Sequence, residues 1–314
     1  MYTQPIGLTF QALSLVDIFV VGTDGNLWLE NAPWGRVPPK RQLIDGTVQA
    51  FQTLPPQQED TTQLFVRGYD GNLWFEQAPW GKVPPARTLL ASNVLSFSLE
   101  ASSLLVLRVD HTLLVSTAVA PPFPPFQLID RQVQAFAAAT YQGGVLAYVV
   151  LGINGDLWIE YGALGEVPPA RVQVDRSVQS FQAVNLEYTK KILILGLDGN
   201  LWMAEALSGT VPPPRQQVDG NVASFLAYPE AQYVLVLSRQ GALWLEQPPF
   251  GQVPPARELI ATDVVAYQPV PGPFTGIYVL ALSKWGELRL YSQPFGEGEL
   301  IDRNVASPGV IFID

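Results

Sequence analysis

Four short segments of this chain hold an aromatic ring between a proline and a glycine: Ala32-Pro33-Trp34-Gly35, Ala78-Pro79-Trp80-Gly81, Pro249-Phe250-Gly251 and Pro294-Phe295-Gly296, with Leu164 and Leu207 in the same place elsewhere. A ring carried on such a loop is harder to bury than one in mid-strand. Its flat face can stack on the apolar face of a pyranose while neighbouring Arg, Glu, Gln or Asn side chains bind the hydroxyls. A proline pair then leads into an arginine in several copies, giving Arg41, Arg87, Arg171, Arg215 and Arg257. Glu30, Glu76, Glu160 and Glu246 precede the loop in four of those stretches, and Ala204 takes the Glu position in the fifth. This co-occurrence predicts a pair, either a cross-strand ion pair tying two strands together or two halves of a polar ligand site. The ligand-binding candidates are therefore Trp34, Trp80, Phe250 and Phe295, with Arg41, Arg87 and Arg257. The competing expectation for the rings is that they cap the apolar edge of the element beneath them.

Other chemistries are poorly supplied. The chain has no cysteine and a single histidine, His111, which excludes disulfides, thiolate metal sites, Cys-His nucleophiles and a multi-histidine zinc centre. No glycine loop has the spacing of a phosphate cradle. Glu297 and Glu299 lie close in sequence, but a glycosidase pair must face across a cleft, which sequence does not show. No catalytic residue, metal ligand or cofactor is expected, and the chain is not expected to be an enzyme. With 18 basic against 28 acidic residues the net charge is −10, so a duplex-binding stripe is not expected and nucleic acid is excluded as a partner. The segment Met1-Tyr2-Thr3-Gln4-Pro5-Ile6-Gly7 lacks a basic region leading into an apolar one, and no apolar run reaches the roughly 18 residues of a membrane span. The expectation is a protein that is cytoplasmic as synthesised, an extracellular role requiring release by another route.

The elements that must position these residues are legible in a repeat. Asp24-Gly25-Asn26-Leu27-Trp28 recurs as Asp70-Gly71-Asn72-Leu73-Trp74, Asn154-Gly155-Asp156-Leu157-Trp158, Asp198-Gly199-Asn200-Leu201-Trp202 and Gly241-Ala242-Leu243-Trp244. Two weaker copies, Asp110-His111-Thr112-Leu113-Leu114 and Trp285-Gly286-Glu287-Leu288-Arg289, complete the series. The mean period is about 43.5 residues, within the range of propeller blades. Each period starts with an alternating run such as Val48-Gln49-Ala50-Phe51-Gln52 and continues with an apolar run such as Leu64-Phe65-Val66. An Asp-Gly hairpin, the Leu-Trp strand and a fourth strand after the prolines complete it. Asp-Gly between such runs predicts a type I′ turn.

The fold expected is therefore all-β: one domain over residues 1–314, a seven-bladed β-propeller of four-stranded antiparallel blades, with the third and seventh repeats degenerate. Blades sandwiched between neighbours are apolar on both faces, which accounts for 48% hydrophobic residues and a positive mean hydropathy. Trp28, Trp74, Trp158, Trp202 and Trp244 are expected to fill the layer between blades. Asp45, Asp130, Asp175, Asp219 and Asp302 read as turn residues, and His111, in a glycine position, as an exposed and inert imidazole. Either Met1 to Gly7 or Val310 to Asp314 could supply a closing strand.

The succession of Leu-Trp strand, Ala-Pro-aromatic loop, Pro-Pro-x-Arg and Val-Asp-Gly turn resembles the tachylectin and tectonin group of β-propeller lectins over nearly the whole chain. The resemblance implies a non-enzymatic lectin whose partners are glycans or glycoconjugates, held at several related sites that act together through multivalency. The alternative is a protein-protein interaction scaffold that grips a partner with unlike loops such as 55–62 and 185–188, variable connections beside a uniform frame. Sugar identity and oligomeric state are not encoded by any residue class here.

Overall fold

The computed structural model describes residues 18–31, 40–54, 63–100, 103–141, 145–161, 167, 169–184, 191–206, 208–227, 233–270 and 277–310. Every regular element among them is a β-strand. The strands form seven four-stranded antiparallel sheets, the blades of a seven-bladed β-propeller. Blade two shows the plan in chain order: β4 (Val48–Leu54), β5 (Gln63–Gly68), β6 (Leu73–Gln77) and β7 (Arg87–Ala91). The second strand is the continuous apolar run, and Leu64, Phe65 and Val66 are all buried because both sheet faces are covered. Burying each such side chain contributes about 1.5–3 kcal/mol.

Blade one is completed from the far end of the chain. Its order is β28 (Val305–Val310), β1 (Ile18–Gly22), β2 (Leu27–Asn31) and β3 (Lys40–Asp45), with Ile18 opposite Val310. The closing strand is thus C-terminal and lies largely before the expected Val310 to Asp314. Met1 to Gly7 falls outside the described residues.

The chain divides into two compact units, Met1–Ser92 with Ile260–Asp314, and Asn93–Leu259. The first holds blades one, two and seven. One of its cores packs Val20 and Val305 of blade one against Leu280, Leu282 and Leu290 of blade seven; another packs Phe19, Leu27 and Ile44 of blade one against Leu64 and Val66 of blade two. The second unit holds blades three to six. There Leu105 and Leu113 of blade three meet Val133 and Val150 of blade four, and Leu193 and Val218 of blade five meet Val222 and Val236 of blade six.

The hairpin between second and third strands departs from the type I′ expectation. Gly22 N–H donates to Asn26 O at 2.8 Å and Gly25 N–H to Gly22 O at 2.9 Å, which makes a three-residue loop. Gly25 alone in that loop has a positive φ, +77°, the pattern of a turn followed by a left-handed bulge residue. Asp24 stabilises it by accepting the Asn26 N–H at 3.0 Å. In blade three His111 takes the glycine place at φ +63° and is half-buried where an exposed ring was expected, its Nδ1 lying 2.9 Å from Val133 O.

The hairpin tips are fastened to the links between blades. In the second unit Ile153 N–H donates to Gln132 O, Val178 N–H to Gly155 O, Leu197 N–H to Ser177 O, Val222 N–H to Gly199 O and Arg239 N–H to Asn221 O, all at 2.9–3.0 Å. Each link carries one non-glycine residue with φ near +60°, such as Gln132, Ser177 and Asn221, and this left-handed step turns the chain from the last strand of one blade into the first of the next.

Candidate functional site

The Glu and Arg that recur in sequence are direct cross-strand partners: Glu30 opposite Arg41, Glu76 opposite Arg87 and Glu160 opposite Arg171, with Ala204 opposite Arg215 in blade five. The arginines reach further than that pairing. Each guanidinium lies over the tryptophan of its own blade, 4.2–4.4 Å from the ring centroid, in the pairs Arg41–Trp28, Arg87–Trp74, Arg171–Trp158, Arg215–Trp202 and Arg257–Trp244. The five indoles are half-buried, each with a face under a cation. Trp28 also packs on the cluster containing Leu280 and Leu282.

Each arginine also meets an aspartate of the preceding blade. The Nη1 to Oδ2 distances are 3.7 Å for Arg41–Asp302, 3.6 Å for Arg87–Asp45, 3.6 Å for Arg171–Asp130, 2.9 Å for Arg215–Asp175 and 3.3 Å for Arg257–Asp219. These aspartates are turn residues as expected: Asp45, Asp175 and Asp219 accept the backbone N–H of the following residue at 2.7–2.8 Å. They are also buried anchors joining one blade to the next, a role the sequence reading missed. A signal for it exists. The repeats in which Ala91 and Ala261 replace the aspartate are each followed by a repeat lacking Arg, Glu and Trp, with Phe126, Ser116 and Leu114 in one and Gly298, Tyr291 and Arg289 in the other.

The four glutamates complete the assembly. Glu30, Glu76, Glu160 and Glu246 have no exposed surface and no close hydrogen bond to either carboxyl oxygen, Arg171 Nη1 standing 3.6 Å from Glu160 Oε1 and Arg257 Nη1 3.9 Å from Glu246 Oε1. Burial, reinforced by the aspartate that each faces (Asp302, Asp45, Asp130 and Asp219), pushes Glu30 and Glu246 up to about 9 and Glu76 and Glu160 up to about 8, against the opposing pull of the arginine. At neutral pH burial therefore keeps each glutamate protonated and uncharged. Blade five supplies an internal control, since where Ala204 removes the acid the Arg215–Asp175 pair has the shortest of these distances.

The positions expected to hold a ligand are distributed as follows. Arg41, Arg87 and Arg257 are spent on a ring and an aspartate, with roughly a third of each side chain still exposed. Trp80 is half-buried on the core containing Phe19, Leu27 and Val48, and Phe250 on that containing Val218 and Val222. Phe295 is half-buried. Trp34, Leu164 and Leu207 and the loops 55–62 and 185–188 lie outside the described residues. Arg41 does line an open cleft of about 480 Å³ in the first unit, together with Thr23, Asp24, Trp28, Asp302 and Arg303. Among the described residues no cluster of three or more His, Asp or Glu could hold a metal ion, and no helix is long and apolar enough to cross a membrane.

A second set of residues, not singled out in the sequence, stands at the hairpin tips. The residue after the second strand is Thr23, Tyr69, Val109, Ile153, Leu197, Arg239 and Lys284 in blades one to seven. Tyr69 is 63%, Val109 56%, Ile153 51% and Leu197 62% exposed, and Trp285, one residue on in blade seven, 73%.

No protein-family profile matches the chain, and no curated protein does. Solved structures do. The chain is similar to BBS1N in a complex with ARL6DN, at 14% identity over 84% of each chain and a TM-score of 0.56. It is also similar to Kluyveromyces lactis Hsv2, at 10% identity over 94% of this chain and 99% of that one, with a TM-score of 0.53. Likeness at this identity establishes the β-propeller fold. The resemblance to the tachylectin and tectonin group rests on the sequence pattern alone.

Proposed function

We propose that this protein is a non-catalytic propeller that serves as a protein-interaction scaffold. The observation that carries the reading is the contrast between a constant turn and a varied tip. The same hydrogen-bonded hairpin presents Thr23, Tyr69, Val109, Ile153, Leu197, Arg239 and Lys284, so the turn does not require an apolar residue, yet four of the seven copies expose one. Large apolar side chains held rigidly in water are favoured by what they dock against, and unlike residues on near-identical supports suit one partner made of unlike parts. BBS1N, a neighbour of the same fold, was captured with the protein ARL6DN. The repeated Arg, Glu, Asp and Trp side chains, by contrast, are engaged with one another between blades, which weakens the case for equivalent sugar sites. A glycan reading keeps one foothold, the cleft lined by Arg41 and Trp28.

The test combines affinity capture from extracts of the native host, with wild type and a Tyr69→Ser/Val109→Ser/Ile153→Ser/Leu197→Ser variant as baits, and a glycan array. The expected result is a protein captured by wild type and lost with the variant, and a blank array. Selective glycan binding that survives the tip variant would overturn the scaffold reading in favour of the lectin one.

A further inference from the structure

Within the second unit the tips of three successive blades expose Val109, Ile153 and Leu197. Backbone hydrogen bonds fix where these side chains stand. Val109 N–H donates to Asn93 O at 2.8 Å, Ile153 N–H to Gln132 O at 2.9 Å, and Leu197 N–H to Ser177 O at 3.0 Å. Gln132 and Ser177 directly follow the exposed Arg131 and Arg176, so the links set a guanidinium-bearing residue next to each of two apolar tips. Arg239 occupies the next tip along, and its guanidinium lies over Gly199, where a Cβ would come within 2.7 Å of Nη2. The row therefore alternates apolar and cationic groups across four blades.

The same tips carry carboxylates, each hydrogen-bonded to neutral groups of its own turn. Asp110 accepts from Thr112 Oγ1 at 2.6 Å, Asp198 from Asn200 N at 3.0 Å and from its amide at 2.7 Å, and Asp156 from the Asn154 amide at 2.8 Å. Those bonds hold Asp110 and Asp198 below the usual carboxylate range, so both stay ionised within their own turns. Among the described residues Arg131 and Arg239 form no ion pair, and the Arg176 guanidinium donates to the neutral Gln173 at 3.2 Å. The surface thus sets arginines that form no ion pair beside apolar side chains, with the aspartates of the same tips fixed within their own turns.

We infer that the row formed by Val109, Arg131, Ile153, Arg176, Leu197 and Arg239 is a docking surface for an acidic, apolar segment of a partner protein, in which carboxylates alternate with aliphatic side chains. This rests on the scaffold reading and narrows it to one chemistry. The partner's aliphatic groups cover the three tips, and its carboxylates meet the guanidinium groups that form no ion pair, arginine being suited to bidentate carboxylate binding. Because the tips are tied down by backbone hydrogen bonds, little ordering is needed on this side of the interface.

The test uses fluorescence anisotropy with short synthetic peptides alternating Leu with Glu, Leu with Lys, and Ser with Glu, against wild type, Ile153→Ser/Leu197→Ser and Arg131→Gln/Arg239→Gln. All these positions are exposed, and matching thermal midpoints will show that the variants fold. The Leu-Glu peptide is expected to bind wild type, to weaken by about tenfold or more with either variant, and to weaken as salt rises from about 0.05 to 0.5 M. Equal binding of the Leu-Lys peptide, or no binding of the Leu-Glu peptide, overturns the inference. Should a captured partner still depend on the tips while Leu-Glu peptides fail, the acidic chemistry is wrong and the scaffold stands. Should capture ignore the tips, both fall.

Discussion

A carboxyl group with no exposed surface and no close hydrogen bond ionises at a cost, and the cost recurs at Glu30, Glu76, Glu160 and Glu246. In an unfolded chain such a group loses its proton near 4.5, whereas here the proton is kept to about 8 or 9. Between those limits the folded state binds more protons than the unfolded one, so raising the pH favours unfolding. The contribution is fully present below about 4.5 and is lost as the pH rises through about 8 to 9. Thermal midpoints are therefore expected to fall between pH 5 and pH 9. Glu30→Gln/Glu246→Gln, neutral at every pH, is expected to flatten that decline and to exceed wild type at pH 9 by about 1–3 kcal/mol. A wild-type profile that rises over the same interval would show the four acids to be ionised in the folded protein.

At the scale of the element, an aromatic loop and an edge strand change role once their neighbours are known. Trp80 belongs to the loop before β7, where a ring could face solvent, but it packs on the core shared by blades one and two. Trp80→Ala is accordingly expected to destabilise by about 2–3 kcal/mol in thermal or urea unfolding. A loss under about 0.5 kcal/mol would return the ring to the surface and to ligand binding. Strand β28 leaves blade one with three strands when it is removed, exposing the backbone of β1 along Ile18–Gly22 and uncovering Val20. Truncation after Asn304 is expected to lower the thermal midpoint sharply and to promote association through the bare edge, measured by calorimetry and size-exclusion chromatography.

At the scale of the molecule, stability comes from repeated units whose contacts are with their neighbours. Arg171 and Arg257 belong to separate assemblies of the second unit, one joining blade four to blade three through Asp130 and the other blade six to blade five through Asp219. Removing either arginine strips the cover from a tryptophan and leaves a buried aspartate beside a buried glutamate. Each alanine variant is expected to cost about 1–2 kcal/mol, and the double variant the sum to within about 0.5 kcal/mol, because the sites share no partner. A large departure from additivity in a double-mutant cycle would mean that the blades between them transmit strain.

Seven four-stranded blades were already determined by the sequence, because strand alternation, buried apolar runs and hairpin turns are local properties and a 43-residue period repeats them visibly. The pairing of Glu30 with Arg41 and of Glu76 with Arg87 was legible for the same reason, the partners lying on adjacent strands. The turn was misread in detail because Asp-Gly specifies a positive φ at the glycine without fixing the loop length. Only the tertiary structure decided that Asp175 meets Arg215 and Asp219 meets Arg257, residues 40 and 38 positions apart on different blades. It also decided that Trp80 is packed and that Ile153 and Leu197 stand in water. Those outcomes depend on which face of one blade covers the next, a property of packing between repeats that no spacing within a repeat records.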